Sequence, residues 1–220
     1  MLRYPCLVLD HDDTCVDSSG TIGYPHFCRV LSHFRPDLTI TETEFRAHCL
    51  NPGFQHLYAE VLCFTEEELA LERRMWSEYV HAHYPRFFQG IPEILRRQWE
   101  EGGIVCIVSH SNSDIIAATY RHAGIQMPDL IFGSELPPEQ RKPNPWPLNE
   151  IMRHFHLKPQ DMLVVDDLPP GCVMAHSCGV EFAAAAWCGM LPETQTTMQQ
   201  IGDYMFHTVD DFSQFLFERK

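Results

Sequence analysis

Two aspartates, Asp10 and Asp12, stand at the end of a short apolar run, Cys6-Leu7-Val8-Leu9. An apolar run of this length bounded by polar residues suits a buried strand, and residues i and i+2 of a strand share a face. If the extended geometry continues for one step, both carboxylates point to one side. Close carboxylates repel unless a cation or a shared proton lies between them. The pair therefore implies Mg²⁺, or a division into one acid and one base. Acids placed directly after a hydrophobic strand also sit where open α/β sheets bind ligands.

Three further groups stand at the ends of expected strands. Ser109 lies in Ile107-Val108-Ser109-His110-Ser111-Asn112, Lys142 in Arg141-Lys142-Pro143-Asn144-Pro145, and Asp166-Asp167 closes the run Met162 to Val165. Together with Asp10 and Asp12 they offer a nucleophile, an acid/base, a hydroxyl donor, a fixed cation and metal-binding carboxylates. That set fits phosphoryl transfer, which needs positioning and charge neutralisation above all. The chain has only three lysines, at 142, 158 and 220; arginine does its ordinary basic work, which singles out Lys142. His110 and Asn112 are candidates to line the substrate site beside Ser109 and Lys142.

These four motifs, in this order, resemble the haloacid dehalogenase-like hydrolase superfamily, in its helical-cap branch of phosphoglycolate phosphatase-like and beta-phosphoglucomutase-like proteins. The resemblance covers nearly the whole chain. Where the family pattern reads D-x-D-G-T, this chain has Asp10-His11-Asp12-Asp13-Thr14, followed by Val16-Asp17-Ser18 as in capped members. Asp13 replaces a glycine at a position that often needs a permissive backbone, which Asp tolerates better than most residues. The last motif is similar to the D-D variant, with Gly171 where a later acid is common. The resemblance implies that Asp10 attacks phosphorus to form an aspartyl-phosphate and that Asp12 is the general acid and base. It also implies that Lys142 and Ser109 bind the phosphoryl group. Mg²⁺ would be held by Asp10, the backbone carbonyl of Asp12, and Asp167 or Asp166; alignment to the G-D form favours Asp167. An anion attacking an anion is opposed by Coulomb repulsion, so a cation between them makes physical sense.

The elements that position these groups alternate strand and helix. Pro92–Glu101, Ser113–His122, Pro147–Phe155, Gly171–Cys178 and Val209–Phe217 read as helices, and Ile104–Val108, Leu130–Phe132, Met162–Val165 and Phe182–Trp187 as strands or buried apolar runs. Repeated βα units imply a Rossmann-like parallel sheet with helices on both faces. Residues from Ser18 to Tyr84 break the rhythm: Thr21–Phe34, Thr43–Cys49, Gly53–Leu62 and Thr65–His83 all read as helical, the last opened by a capping box. The expectation is an α/β core of residues 1–17 and 85–220 with an inserted all-helical cap, residues 18–84. Substrate-reading candidates in the cap are Asn51-Pro52-Gly53-Phe54, the segment around Tyr24 and His26, and Arg46, His48 and His56.

Composition narrows the partners. A net charge of −14, from 16 basic against 30 acidic residues, argues against nucleic acid, which is bound through Lys and Arg, and against an anionic membrane. No apolar stretch suits a bilayer span, and Met1-Leu2-Arg3-Tyr4-Pro5 shows no signal-peptide pattern, so a cytoplasmic protein is expected, as a monomer or homodimer. Nine cysteines without a CxxC pair read as reduced thiols, and the 13 histidines show no zinc-helix motif.

The expected activity is a Mg²⁺-dependent phosphatase acting on a small phosphorylated metabolite. Asp12 argues against dehalogenation, since carbon–halogen cleavage needs no proton donor for its leaving group. A lysine-free cap argues against a phosphonatase, which needs a Schiff-base lysine. A phosphosugar mutase, or a non-catalytic small-phosphate-binding protein, are the alternatives.

Overall fold

The structure is a computed structural model, and it describes residues 2–218; Lys220 lies outside the described residues. In chain order, β1 (Cys6–Leu9) and β2 (Val16–Asp17) are followed by helices α1 (Tyr24–Phe34), α2 (Glu42–His48), α3 (Phe54–His56) and α4 (Glu66–Ala82). Then come β3 (Arg86–Phe87), α5 (Ile91–Glu100), β4 (Ile104–Val108), α6 (Ser113–Ala123), β5 (Leu130–Phe132) and α7 (Trp146–Phe155). The chain ends with β6 (Met162–Asp166), α8 (Pro169–Ser177), β7 (Glu181–Ala185), α9 (Pro192–Ile201), β8 (Tyr204–Phe206) and α10 (Val209–Phe217). No described helix is long and apolar enough to cross a membrane.

Two compact units form, one of residues 1–16 with 87–220 and one of residues 17–86. The chain leaves the first on β2 and returns on β3, which pair with each other.

The first unit is a six-stranded sheet in the order β5-β4-β1-β6-β7-β8, parallel at every junction. Its strands are apolar on both faces because helices cover both. Leu7, Leu9, Val105, Ile107, Leu163 and Val165 face one core with α5, α6 and α10; Cys6, Val8, Cys106, Val108, Met162 and Val164 face the other with α7, α8 and α9. This strict alternation along β1, β4 and β6 fixes which way each strand end points, because a one-residue slip would exchange the two cores.

The segment between Trp187 and Val209 carries α9 and the edge strand β8, neither of which the sequence pattern had marked. β8 is three residues long, and α9 buries only Thr194 and Met198, too little apolar signal for a periodicity to register.

The second unit is helical and packs its own core: Phe27, Val30 and Leu31 of α1, Phe45 of α2, and Leu57, Tyr58, Leu62 and Phe64. α2 and α4 each open on a capping box, Thr41 with Glu44 and Thr65 with Glu68. The stretch expected as one helix over Gly53–Leu62 is instead the short α3 flanked by wider π-type turns, Cys49–Gly53 and Leu57–Val61. Asn51 is extended (φ −155°, ψ 123°) and Gly53 has φ +115°, a conformation that only glycine adopts cheaply.

Candidate active site

The site lies at the carboxyl ends of β1, β4 and β6. Asp10 follows β1 directly, and its backbone N–H donates to Val165 O at 2.8 Å, carrying the parallel ladder one residue beyond the strand. Alternation then sets the side chains: His11 turns into the core, fully buried against Tyr120. Burial holds its imidazole below the ordinary histidine pKa despite the nearby Asp12 and Asp10 charges. Asp13 takes the left-handed conformation, φ +53°, so the turn does need the permissive backbone that a glycine or aspartate supplies. The turn closes with the Cys15 and Val16 N–H groups donating to His11 O at 3.0 and 3.1 Å. Trp187 Nε1 adds a bond to Thr14 O at 3.0 Å, so this tryptophan ties down the motif loop.

Lys142 is nearly fully buried. Its Nζ lies 2.8 Å from Asp10 Oδ1 in an ion pair without the alignment of a hydrogen bond, and donates to Asp166 Oδ2 at 2.6 Å. Burial alone would lower the ammonium's pKa, but the charges of Asp10 and Asp166 outweigh it and hold it above the ordinary lysine value. The second Asp166 oxygen accepts from Leu168 N at 2.9 Å, so both of its oxygens are occupied by the protein. Asp167 has the Thr14 hydroxyl at 3.4 Å. Burial, then the charges of Asp166, Asp10 and Asp13, push its carboxyl well above the usual range against the pull of Lys142. Asp166 is raised to about 6, by burial and Asp10 against the opposing pull of Lys142.

One carboxylate oxygen from each of Asp10, Asp166 and Asp167 falls within 4.8 Å of the others. Three buried carboxylates with one ammonium leave negative charge unbalanced, which burial makes costly. All the donors are oxygens, the ligand type of hard divalent cations. The residues present therefore fit Mg²⁺, with Asp167 the least compensated of the three.

A β-carbon at Gly171 would lie 2.3 Å from Asp166 Oδ2. α8 packs too closely on the aspartate for any side chain there, which accounts for the departure from the family's later acid.

The loop after β4 brings Ser109 beside Asp12, with Oγ to Asp12 Oδ2 at 3.5 Å, at the outer limit of a hydrogen bond. His110 is exposed and its Nε2 lies 3.0 Å from Lys142 O; toward a carbonyl it can act only as donor, so it braces the lysine loop. Asn112 is the N-cap of α6, its Oδ1 accepting from Asp114 N at 2.9 Å. Sequence reasoning passed over Ser111, whose Oγ donates to Asp12 Oδ2 at 2.5 Å. Ser111 lies two residues beyond Ser109 at the end of β4, as Asp12 does beyond Asp10 after β1, but a serine in a turn carries no mark of its own.

In the helical unit, His26 is buried 3.3 Å from Glu72 Oε1, against Trp76 and Tyr79. Tyr24 OH donates to Ile40 O at 3.0 Å, and Arg46 pairs with Glu42 at 2.8 Å and Asp17 at 3.4 Å. His48 is half-buried; Asn51, Phe54 and His56 are exposed.

Residues 7–185 match the family model described as haloacid dehalogenase-like hydrolase. No curated protein matches the sequence. Among solved structures, a predicted phosphoglycolate phosphatase from Haemophilus somnus 129pt is similar, with TM-score 0.72 at 19% identity over 98% of this chain and 99% of that one. A HAD-superfamily hydrolase, subfamily IA, variant 1, from Geobacter sulfurreducens PCA gives TM-score 0.72 at 17% identity, covering 97% of each chain. A conserved haloacid dehalogenase-like protein of unknown function from Agrobacterium tumefaciens str. C58 gives 0.75 at 16%, covering 96% of this chain and 97% of that one. At these identities the structures speak for a shared fold. With the family match spanning most of the sequence, the chain belongs to the haloacid dehalogenase-like hydrolase family.

Proposed function

We propose that this protein is a Mg²⁺-dependent phosphatase of a small phosphomonoester, working through an aspartyl-phosphate on Asp10. The observation that carries the reading is the buried cluster itself. Asp10, Asp166 and Asp167 converge within 4.8 Å and Lys142 reaches two of them, an arrangement that is costly unless it serves a charged ligand.

In this reading Lys142 holds Asp10 Oδ1, which orients the other carboxylate oxygen toward phosphorus. That oxygen forms the new O–P bond as the ester O–P bond breaks. Asp12 gives its proton to the departing alkoxide, then takes one from the water that attacks phosphorus and frees Asp10. Such acid–base help is worth on the order of 10²–10⁴-fold. Ser109 and Lys142 hydrogen-bond and neutralise the phosphoryl oxygens. Asp10, Asp167 and the Asp12 carbonyl would hold Mg²⁺, which supplies charge neutralisation between nucleophile and phosphate when bound. The two occupied oxygens of Asp166 support giving the direct ligand role to Asp167. Residues 18–84 are taken as the cap of the helical-cap branch, and the substrate as a small phosphorylated metabolite.

The test is free phosphate released from a panel of small phosphomonoesters by the purified protein, with Mg²⁺ and with EDTA. Mg²⁺-dependent release that Asp10→Asn abolishes is the expected result. A phosphosugar isomerised without free phosphate would replace the phosphatase by a mutase, and no turnover of any kind would leave a small-phosphate-binding protein.

A further inference from the structure

Asp12, the acid and base of that reading, stands on a turn, where the hydroxyls of Ser109 and Ser111 reach its carboxylate. Ser111 is the one that does so at full hydrogen-bond strength, Oγ to Oδ2 at 2.5 Å, against 3.5 Å for Ser109. We propose that Ser111 is a positioning residue for the proton transfers of Asp12, a role that rests on the phosphatase reading above.

The Ser111 backbone is pinned on both sides. Its N–H donates to Ser109 Oγ at 3.2 Å, and its carbonyl accepts from Ser134 N at 2.9 Å. The loop after β5 approaches so closely that a β-carbon at Gly133 would lie 2.7 Å from Ser111 O and 2.6 Å from Ser113 N. With the backbone held by Ser109 of its own loop and by the loop after β5, the hydroxyl is presented to Asp12 from a fixed point. This is the support that a catalytic group on a turn requires.

The hydrogen-bond direction has a chemical consequence. A hydroxyl that donates into Oδ2 makes that oxygen an acceptor, so the transferable proton of the neutral acid resides on Oδ1. Ser111 thereby selects the oxygen that serves the leaving group: Asp12 Oδ1–H gives its proton to the alkoxide, and the same oxygen later takes a proton from water. Ser111 itself gains and loses nothing. The two serines divide the work. Ser109 accepts from the Ser111 N–H, and its hydroxyl, held by Asp12 only at 3.5 Å, is the one free to turn to the phosphoryl group, while Ser111 spends its hydrogen on Asp12.

The test separates positioning from general damage by leaving group. An alkyl phosphate needs a proton on its departing oxygen, whereas p-nitrophenyl phosphate, with its stable phenolate, scarcely does. Rapid-quench measurement of the first, enzyme-phosphorylating turnover with Mg²⁺ would compare wild type, Ser111→Ala, Ser111→Thr and Asp12→Asn on both esters. Ser111→Ala should slow the alkyl ester about tenfold or more, part of the ~10²–10⁴-fold that general acid catalysis supplies. It should leave the nitrophenyl ester nearly unchanged and both KM values in place, and Ser111→Thr should restore the alkyl rate. Equal loss on both esters, or no loss on the alkyl ester, would overturn the proposal. If Asp12→Asn also fails to discriminate, the acid assignment itself is wrong and the proposal goes with it. If wild type phosphorylates itself from neither ester, the phosphatase reading is what has failed.

Discussion

Lys142 and Asp166 form the shortest ion pair of the site, Nζ to Oδ2 at 2.6 Å with both side chains buried. Since Leu168 N takes the other Asp166 oxygen, this aspartate is the lysine's anchor, and in the proposed reading Asp167 is the carboxylate that faces the cation. Neighbouring residues of the same type thus do different work.

Lys142→Met leaves Asp10 and Asp166 buried without their cation. Removing one partner of a buried pair costs about 3–5 kcal/mol. Urea unfolding should show a loss of that order, and the second change Asp166→Asn should recover part of it. A single variant within about 1 kcal/mol of wild type would contradict the structural share of this role.

Asp167→Asn should stabilise the metal-free protein and erase its response to Mg²⁺. The folded-state pKa of Asp167 is raised above its unfolded value by burial and by neighbouring acids. Its favourable, protonated contribution is therefore complete below about pH 4 and is lost as pH rises toward the elevated folded value. In EDTA, the melting temperature of Asp167→Asn minus that of wild type should grow more positive from about pH 4 to 8. In excess Mg²⁺ wild type should gain stability and the variant little. A flat difference, or an equal Mg²⁺ gain in both, would remove Asp167 from the metal site.

Gly171→Ala places a methyl group where Asp166 Oδ2 stands 2.3 Å away. Either α8 or the aspartate must move, at about 1–3 kcal/mol for overpacking, and phosphatase turnover should fall with the displaced Lys142 anchor. Full stability with full turnover would show that the local backbone yields easily.

How far the site was legible in the sequence follows from what kind of signal each residue carries. Asp10, Asp12, Ser109, Lys142 and the Asp166-Asp167 pair end apolar strands or stand in a distinctive dipeptide, and burial on both faces makes those strands continuous apolar runs. Ser111 lacked such a mark because serine is a common turn residue, and only the position of Asp12 makes its hydroxyl matter. The closeness of α8 to Asp166, which requires Gly171, is a packing relation between elements and has no local signature. In the helical unit, the break at Asn51 and Gly53 sits inside an otherwise helical composition, and α9 with β8 is too polar and too short to stand out.

The helical unit should lose stability on the acid side through Glu68. The bidentate bonds from Arg35, at 2.8 and 3.1 Å, and the bond from Thr65 N lower its pKa to about 2. A depressed carboxylate contributes stability above its unfolded pKa, near 4.3, and loses it as pH falls through the folded value. Glu68→Gln should therefore be less stable than wild type at pH 7 and converge with it near pH 2 by circular dichroism. Parallel curves for the two proteins would refute the assignment.

Mass mapping of the enzyme after a millisecond acid quench with its preferred phosphomonoester and Mg²⁺ would show directly whether Asp10 is the nucleophile. One acyl-phosphate is expected, on the peptide carrying Asp10, absent with EDTA and absent in Asp10→Asn. Turnover with no phosphoryl-enzyme on that peptide, or undiminished turnover by Asp10→Asn, would contradict it.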